Sequence, residues 1–120
     1  MFQYEAKIIR WVDGDTAWLD IDLGFYTHRE TDVRLAGINT PERVEYRVQG
    51  LVDAAKEFNE QRCPPGSVVI AEITTRDKYG RWLAKIKYLT GSPVREDILQ
   101  NGRWLNDDLI AEGLAKPYQK

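Results

Sequence analysis

The sequence has few of the residues that build disulfides or zinc sites. Its 120 residues include one cysteine, Cys63, and one histidine, His28. A single cysteine cannot form an internal disulfide, and one cysteine with one histidine is too small a donor set for a structural zinc site. We therefore expect both side chains to pack or to lie at the surface without a metal-binding role.

Long apolar stretches and a strong excess of one charge are also absent. No hydrophobic run approaches the ~18 residues of a membrane span, so we expect no membrane partner. The first residues do not combine basic residues with a following apolar segment, so we expect a cytoplasmic protein unless a leader was trimmed from a secreted precursor. The 17 basic and 19 acidic residues give a net charge of −2. A nucleic-acid site would therefore need a local group of arginines or a bound cation.

The length suits one domain over residues 1–120, which we expect to be a monomer. Residues 17–23 alternate as a half-buried strand does, with Leu19 and Ile21 on one face and Asp20 and Asp22 on the other. Comparable patterns and turn residues predict five strands, at 4–12, 17–23, 31–38, 67–75 and 81–89.

Helical spacing of apolar residues predicts helices at about 47–62 and 105–112. Residues 91–101 lie between two turn signals and are expected to form an added arm. Short antiparallel strands with an intervening helix suit an α+β fold, a five-stranded OB-fold Greek-key barrel with two to three helices.

Three segments carry the residues that suggest chemistry: Asp13–Thr16, Arg34–Glu42 and Asp77–Arg81. Each also has a purely structural interpretation. The first and third are good hairpin turns, and the second contains a helix-capping pattern. Taken singly, none of them requires a function.

Considered together, the segments contain the groups that phosphodiester hydrolysis needs. Asp15, Asn39 and the carbonyl of Thr40 offer the hard oxygen ligands that Ca²⁺ or Mg²⁺ prefers. Glu42 is a carboxylate close in sequence to these ligands, as a base that activates water would be. Spacing alone leaves open whether the groups converge.

Arg34 and Arg81 add the positive charge. Their planar guanidinium groups match phosphate oxygens and stay charged at any working pH. Trp82 follows Arg81 directly, and on an alternating strand it points to the opposite face, which favours packing over stacking on bases.

The three segments, in this order, resemble the signature of the staphylococcal-nuclease-like (thermonuclease) family, and residues 109–116 resemble its later helix. The similarity covers roughly residues 6–118, and chance occurrence of all the segments is remote. It implies a metal-dependent endo- or exonuclease that cuts DNA and RNA, uses Ca²⁺ with Mg²⁺ or Mn²⁺ as alternatives, and leaves 3′-phosphate ends.

The resemblance also implies roles for single residues. Asp15 matches a metal-binding aspartate, Thr40 a carbonyl ligand, and Glu42 the proposed general base. Arg34 and Arg81 match the two catalytic arginines. Positions that contact the bound nucleotide are matched by Lys78, Tyr79 and Tyr118.

The sequence departs from the family at Asn39, where well-known members have a second metal-ligating aspartate. An amide oxygen still binds a hard cation, but one negative charge is lost, so we expect weaker calcium binding. The acidic net charge and Asn39 together keep a second hypothesis open, a non-catalytic OB-fold module that binds nucleic acid or a protein.

Overall fold

A computed structural model describes residues 2–40, 54–91 and 93–117. The elements, numbered in chain order, are β1 (Phe2–Trp11), β2 (Thr16–Gly24), β3 (Thr27–Leu35), β4 (Ile38–Asn39), α1 (Ala54–Arg62), β5 (Val68–Arg76), β6 (Trp82–Tyr88), α2 (Arg95–Asn101), β7 (Arg103–Trp104), α3 (Leu105–Ala111) and β8 (Lys116–Pro117). The described helices include none that is long and apolar enough to cross a membrane.

Five long strands close into a barrel. They follow the order β3-β2-β1-β5-β6, and a parallel pairing of β3 with β6 joins the two edges. In that seam Val33 lies opposite Trp82 and Arg34 opposite Leu83. The alternation expected in β2 is confirmed, because Ala17, Leu19 and Ile21 are buried in the barrel. The fold is thus the predicted five-stranded OB-type barrel, with three helices.

The helices cover the barrel with short apolar faces. Ala55 and Asn59 are the buried residues of α1, Leu105 and Leu109 are fully buried on α3, and α2 buries Ile98 alone. The expected arm at 91–101 therefore contains a helix, which contacts β5 and β6. Helix α1 agrees with the second part of the helix expected at 47–62, whose first residues lie outside the described ranges.

Cys63 packs in the interior and His28 lies at the surface, which are the two ordinary positions expected from the sequence. Cys63 has no exposed surface and packs in the core, and burial raises the pKa of its thiol to about 12. The thiol is therefore neutral and unreactive at physiological pH. His28 is exposed, with Nδ1 at 3.2 Å from a carboxylate oxygen of Asp20 on the neighbouring strand.

Candidate active site

Asp15 lies in the short loop between β1 and β2, which backbone hydrogen bonds attach to β3. The N–H of Asp15 donates to the carboxylate of Asp13 (3.1 Å), and the N–H of Leu35 donates to the carbonyl of Asp15 (2.8 Å). The hydroxyl of Thr16 donates to Oδ1 of Asp15 (3.2 Å). These bonds fix the position of a carboxylate whose side chain is only 16% exposed.

The surroundings of Asp15 disfavour its negative charge. Burial is the largest effect, and a hydrogen bond and charge repulsion from Asp13 add to it, so the pKa of Asp15 is raised above its ordinary value. Arg34 and Thr16 act in the opposite direction without cancelling the rise. A further cation close to Asp15 would stabilise the ionised form.

Arg34 connects the first two sequence segments. It stands at the end of β3, and its Nη2 donates to the side-chain oxygen of Asn39 (3.0 Å). The same nitrogen lies 3.6 Å from Oδ2 of Asp15. The side chain of Arg34 is only 14% exposed, so water screens the charge of its guanidinium group less than it would at an open surface.

The third segment folds around the carboxylate of Asp77. One oxygen accepts from the backbone N–H groups of Tyr79 (2.8 Å) and Arg81 (2.9 Å), and the other accepts from Nε of Arg81 (2.9 Å). Burial acts to raise the pKa of Asp77, but these hydrogen bonds and the charge of Arg81 lower it overall. The terminal nitrogens of Arg81 have no hydrogen-bond acceptor among the described residues and remain able to bind an anion.

The second and third segments meet at a pocket of about 300 Å³ on the outer face of β3 and β6. Tyr79 is 73% exposed at its edge, and its ring centre lies 5.2 Å from the ammonium of Lys78 and 5.8 Å from the guanidinium of Arg81. The residues that line this pocket include five of the predicted site residues: Arg34, Asn39, Lys78, Tyr79 and Arg81. Two arginines from distant parts of the chain therefore line one pocket.

Helix α1 supports the Asp15 loop from behind. The buried amide of Asn59 donates to the carbonyl of Gly14 (2.9 Å). A Cβ at Gly14 would lie 2.6 Å from Cβ of Ala55 and 3.1 Å from Cγ2 of Thr40. Glycine is required by this close approach, and Thr40, which is 9% exposed, packs beside the loop. Sequence reasoning missed Asn59, although a polar residue one turn after Ala55 on the buried face of α1 was a usable signal.

The side-chain oxygens of Asp15 and Asn39 are of the type that binds a hard cation, but only Asp15 can contribute a negative charge. Asp15 and Asn39 place their oxygens within 3.6 Å of one nitrogen of Arg34, so they are close enough to share a positive charge. The described residues contain no group of three or more histidine, cysteine, aspartate or glutamate side chains that could hold a metal. A cation at this place would either share the Asn39 oxygen with Arg34 or displace that contact.

Two predicted site residues, Glu42 and Tyr118, lie outside the described ranges, so the positions of the proposed base and of one nucleotide contact stay predictions. The other seven are placed by the structure as given above: Asp15, Arg34, Asn39, Thr40, Lys78, Tyr79 and Arg81. The sequence did not predict the hydrogen bond from Nε of Arg81 to Asp77, because a turn was already a sufficient reason for an aspartate at that position.

Comparison with known proteins identifies the family of this chain. A family model described as staphylococcal nuclease homologue matches residues 32–120. A thermonuclease of Staphylococcus hyicus is 28% identical over 92% of this chain, and an uncharacterised protein of Methanocaldococcus jannaschii is 28% identical over 96%. The chain spans 54% and 59% of the length of these two relatives, respectively. Since the family model covers well over half of the chain, this protein belongs to the staphylococcal nuclease homologue family.

Proposed function

We propose that this protein is a metal-dependent phosphodiesterase that hydrolyses DNA and RNA and leaves 3′-phosphate ends. The observation that carries the proposal is the convergence of Arg34 and Arg81 on one pocket, with Asp15 and Asn39 in contact range of Arg34. The thermonuclease relative supports the same chemistry.

The two arginines would bind the scissile phosphate. Arg81 is oriented through Nε by Asp77, which leaves its two terminal nitrogens to donate to phosphate oxygens. Arg34 approaches from β3 on the other side of the pocket. Charge that develops on these oxygens as water attacks phosphorus is stabilised by both guanidinium groups, which need little reorientation. Lys78 and Tyr79 would contact the neighbouring phosphate and base.

Asp15, Asn39 and the carbonyl of Thr40 would hold a Ca²⁺, Mg²⁺ or Mn²⁺ ion, which polarises a phosphate oxygen and lowers the pKa of water when bound. Glu42 would accept a proton from the attacking water. Cleavage of the bond between phosphorus and the 5′-oxygen then gives a 3′-phosphate and a 5′-hydroxyl, which takes up a proton from solvent.

The test is digestion of single-stranded DNA and of RNA with added Ca²⁺, Mg²⁺ or Mn²⁺, against an EDTA control, with analysis of the product ends. We expect cleavage with at least one metal and none in EDTA. Glu42→Gln and Arg81→Ala should each lose about a hundredfold or more in rate, whereas Arg95→Ala, which removes an exposed arginine of α2, should cut like wild type. Cleavage in EDTA, or full activity of both site variants, would contradict the proposal.

One observation favours the second hypothesis, a non-catalytic binding module. The oxygen of Asn39 accepts from Arg34, so one proposed metal ligand already has a protein partner. A binding module predicts that nucleic acid or a protein partner is bound equally well with EDTA and without Glu42, and that no metal supports cleavage. The same digestion series, combined with a binding measurement, separates the two functions.

A further inference from the structure

A second pocket, of about 360 Å³, opens at the end of the barrel near the turn between β2 and β3. All five long strands contribute side chains to it. We call it the barrel mouth and define it by Phe2, Tyr4, Leu23, Arg29, Ile73 and Trp82. Phe2 is 70% exposed and Leu23 is 44% exposed. The barrel mouth is therefore an apolar and aromatic hollow open to solvent, in the size range of pockets that hold small groups.

Two arginine side chains lie at this apolar surface. Arg29 lines the barrel mouth, and the guanidinium carbon of Arg76 lies 4.4 Å from the ring centre of Trp82. Neither arginine forms a salt bridge with a carboxylate in the described parts of the chain. Glu30 alternates with Arg29 on β3 and so points to the other face of the sheet. The charge of the barrel mouth is thus complementary to an anion.

The barrel mouth and the candidate active site are lined by neighbouring residues of the chain. Arg81, which directly precedes β6, lines the candidate active site, and Trp82, the first residue of β6, lines the barrel mouth. The two pockets therefore lie on either side of the start of β6. The turn before Arg81 carries the exposed ring of Tyr79 and the ammonium of Lys78, which line the candidate active site. A strand held at Arg81 would have to pass the start of β6 to reach the barrel mouth.

We propose that the barrel mouth is a second subsite, which receives an unpaired base of the nucleic-acid strand whose phosphate is bound at Arg34 and Arg81. Trp82 is covered by Arg76 and has the packing role expected from the sequence. Phe2 and Arg29, which both line the barrel mouth, suit single-stranded nucleic acid, because a base stacks on the exposed ring while the guanidinium group binds the backbone. A base inside a duplex is stacked and paired, so the subsite selects single strands. This inference rests on the proposed function.

The test measures binding of oligothymidylates of increasing length by fluorescence anisotropy in EDTA, so that no cleavage occurs. Arg29→Gln and Phe2→Ser change exposed residues of the barrel mouth and should leave the fold intact. Arg95→Gln and Val94→Ser, at the exposed start of α2, change residues that do not line the barrel mouth and are matched controls. Thermal unfolding of all four variants checks that stability is unchanged.

We expect the two barrel-mouth variants to bind long oligothymidylates about fivefold or more weakly than wild type. Binding of the dinucleotide, which is too short to pass the start of β6, should be unchanged. In Arg29→Gln the slope of log affinity against log salt should also fall by about 0.7, the value for one lost phosphate contact on a single strand. The matched controls should behave as wild type does.

The possible failures are distinguishable. If the barrel-mouth variants bind long oligothymidylates as the controls do while wild type still cleaves DNA, the subsite is wrong and the proposed function stands. If wild type binds no oligothymidylate of any length and cleaves none, both are overturned. If decanoate changes the tryptophan fluorescence and oligothymidylate does not, the barrel mouth binds amphiphilic anions, which also contradicts the subsite.

Discussion

Replacing Gly14 with alanine should disturb the Asp15 loop through a steric conflict with α1. The new Cβ would lie 2.6 Å from Cβ of Ala55 and 3.2 Å from Oγ1 of Thr40, whereas carbon atoms in good contact are separated by ~3.5–4.0 Å. The Cβ of Ala55 has no rotatable bond that would let it move aside. The loop or the helix must therefore shift by about 1 Å.

The expected cost follows from two opposing effects. Overpacking of this kind lowers the free energy of unfolding by ~1–3 kcal/mol. Replacing glycine restricts the unfolded chain and thereby raises the free energy of unfolding by ~0.4–1 kcal/mol. Overpacking prevails, so we expect Gly14→Ala to lower the free energy of unfolding by about 1–2 kcal/mol and Tm by ~4–8 °C. Cleavage should fall as well, because Gly14 directly precedes Asp15 and contacts Thr40.

The double variant Gly14→Ala/Ala55→Gly tests the cause. Glycine in α1 alone costs ~1 kcal/mol of helix stability, but together with Gly14→Ala it removes the colliding methyl group. Urea denaturation of wild type, both single variants and the double variant should show that the double variant is more stable than the sum of the two losses predicts, by about 1 kcal/mol. Losses that add within ~0.5 kcal/mol would refute the contact between the loop and α1.

Two further predictions concern the metal site and the acid stability. Asn39→Asp restores a negative charge beside Asp15 and should tighten Ca²⁺ binding; calorimetry that shows unchanged or weaker binding would contradict this. Burial acts to raise the pKa of Asp108, but hydrogen bonds from Arg103 and Tyr88 hold it below its ordinary value of 3.8. The stabilisation from ionised Asp108 is thus complete above that value and is lost as pH falls through the lower folded pKa. The urea midpoint of wild type should therefore drop more between pH 7 and pH 3 than that of Asp108→Asn, and equal drops would show that Asp108 has no such role.

The barrel was readable from the sequence because its signals are local. Alternation in β2 and the turn residues around Asp77 determine strands and their ends within a few neighbours. Helix α2 was missed because only Ile98 is buried on it, which leaves no apolar period to detect. Its position depends on contacts with β5 and β6, which are distant in sequence.

The sequence predicted which residues form the candidate site, but it did not predict the hydrogen bonds between them. Family resemblance gave Asp15, Arg34 and Arg81 as candidate functional residues. It could not show that Asn39 accepts from Arg34, or that Asp77 fixes Arg81, because these bonds depend on side-chain distances set by the folded backbone. The sequence does not reveal the hydrogen bond from Asn59 to Gly14 for the same reason, since this bond joins a loop and a helix that are far apart in the chain.

The seam between β3 and β6 has a consequence for when the protein can act. Its three residue pairs join the end of one strand to the start of another and thereby bring Arg34 and Arg81 to one pocket. A nascent chain in which β6 has not yet docked has both arginines but not the pocket that they share. If the proposed function holds, local opening of these few pairs stops hydrolysis while most of the barrel remains intact.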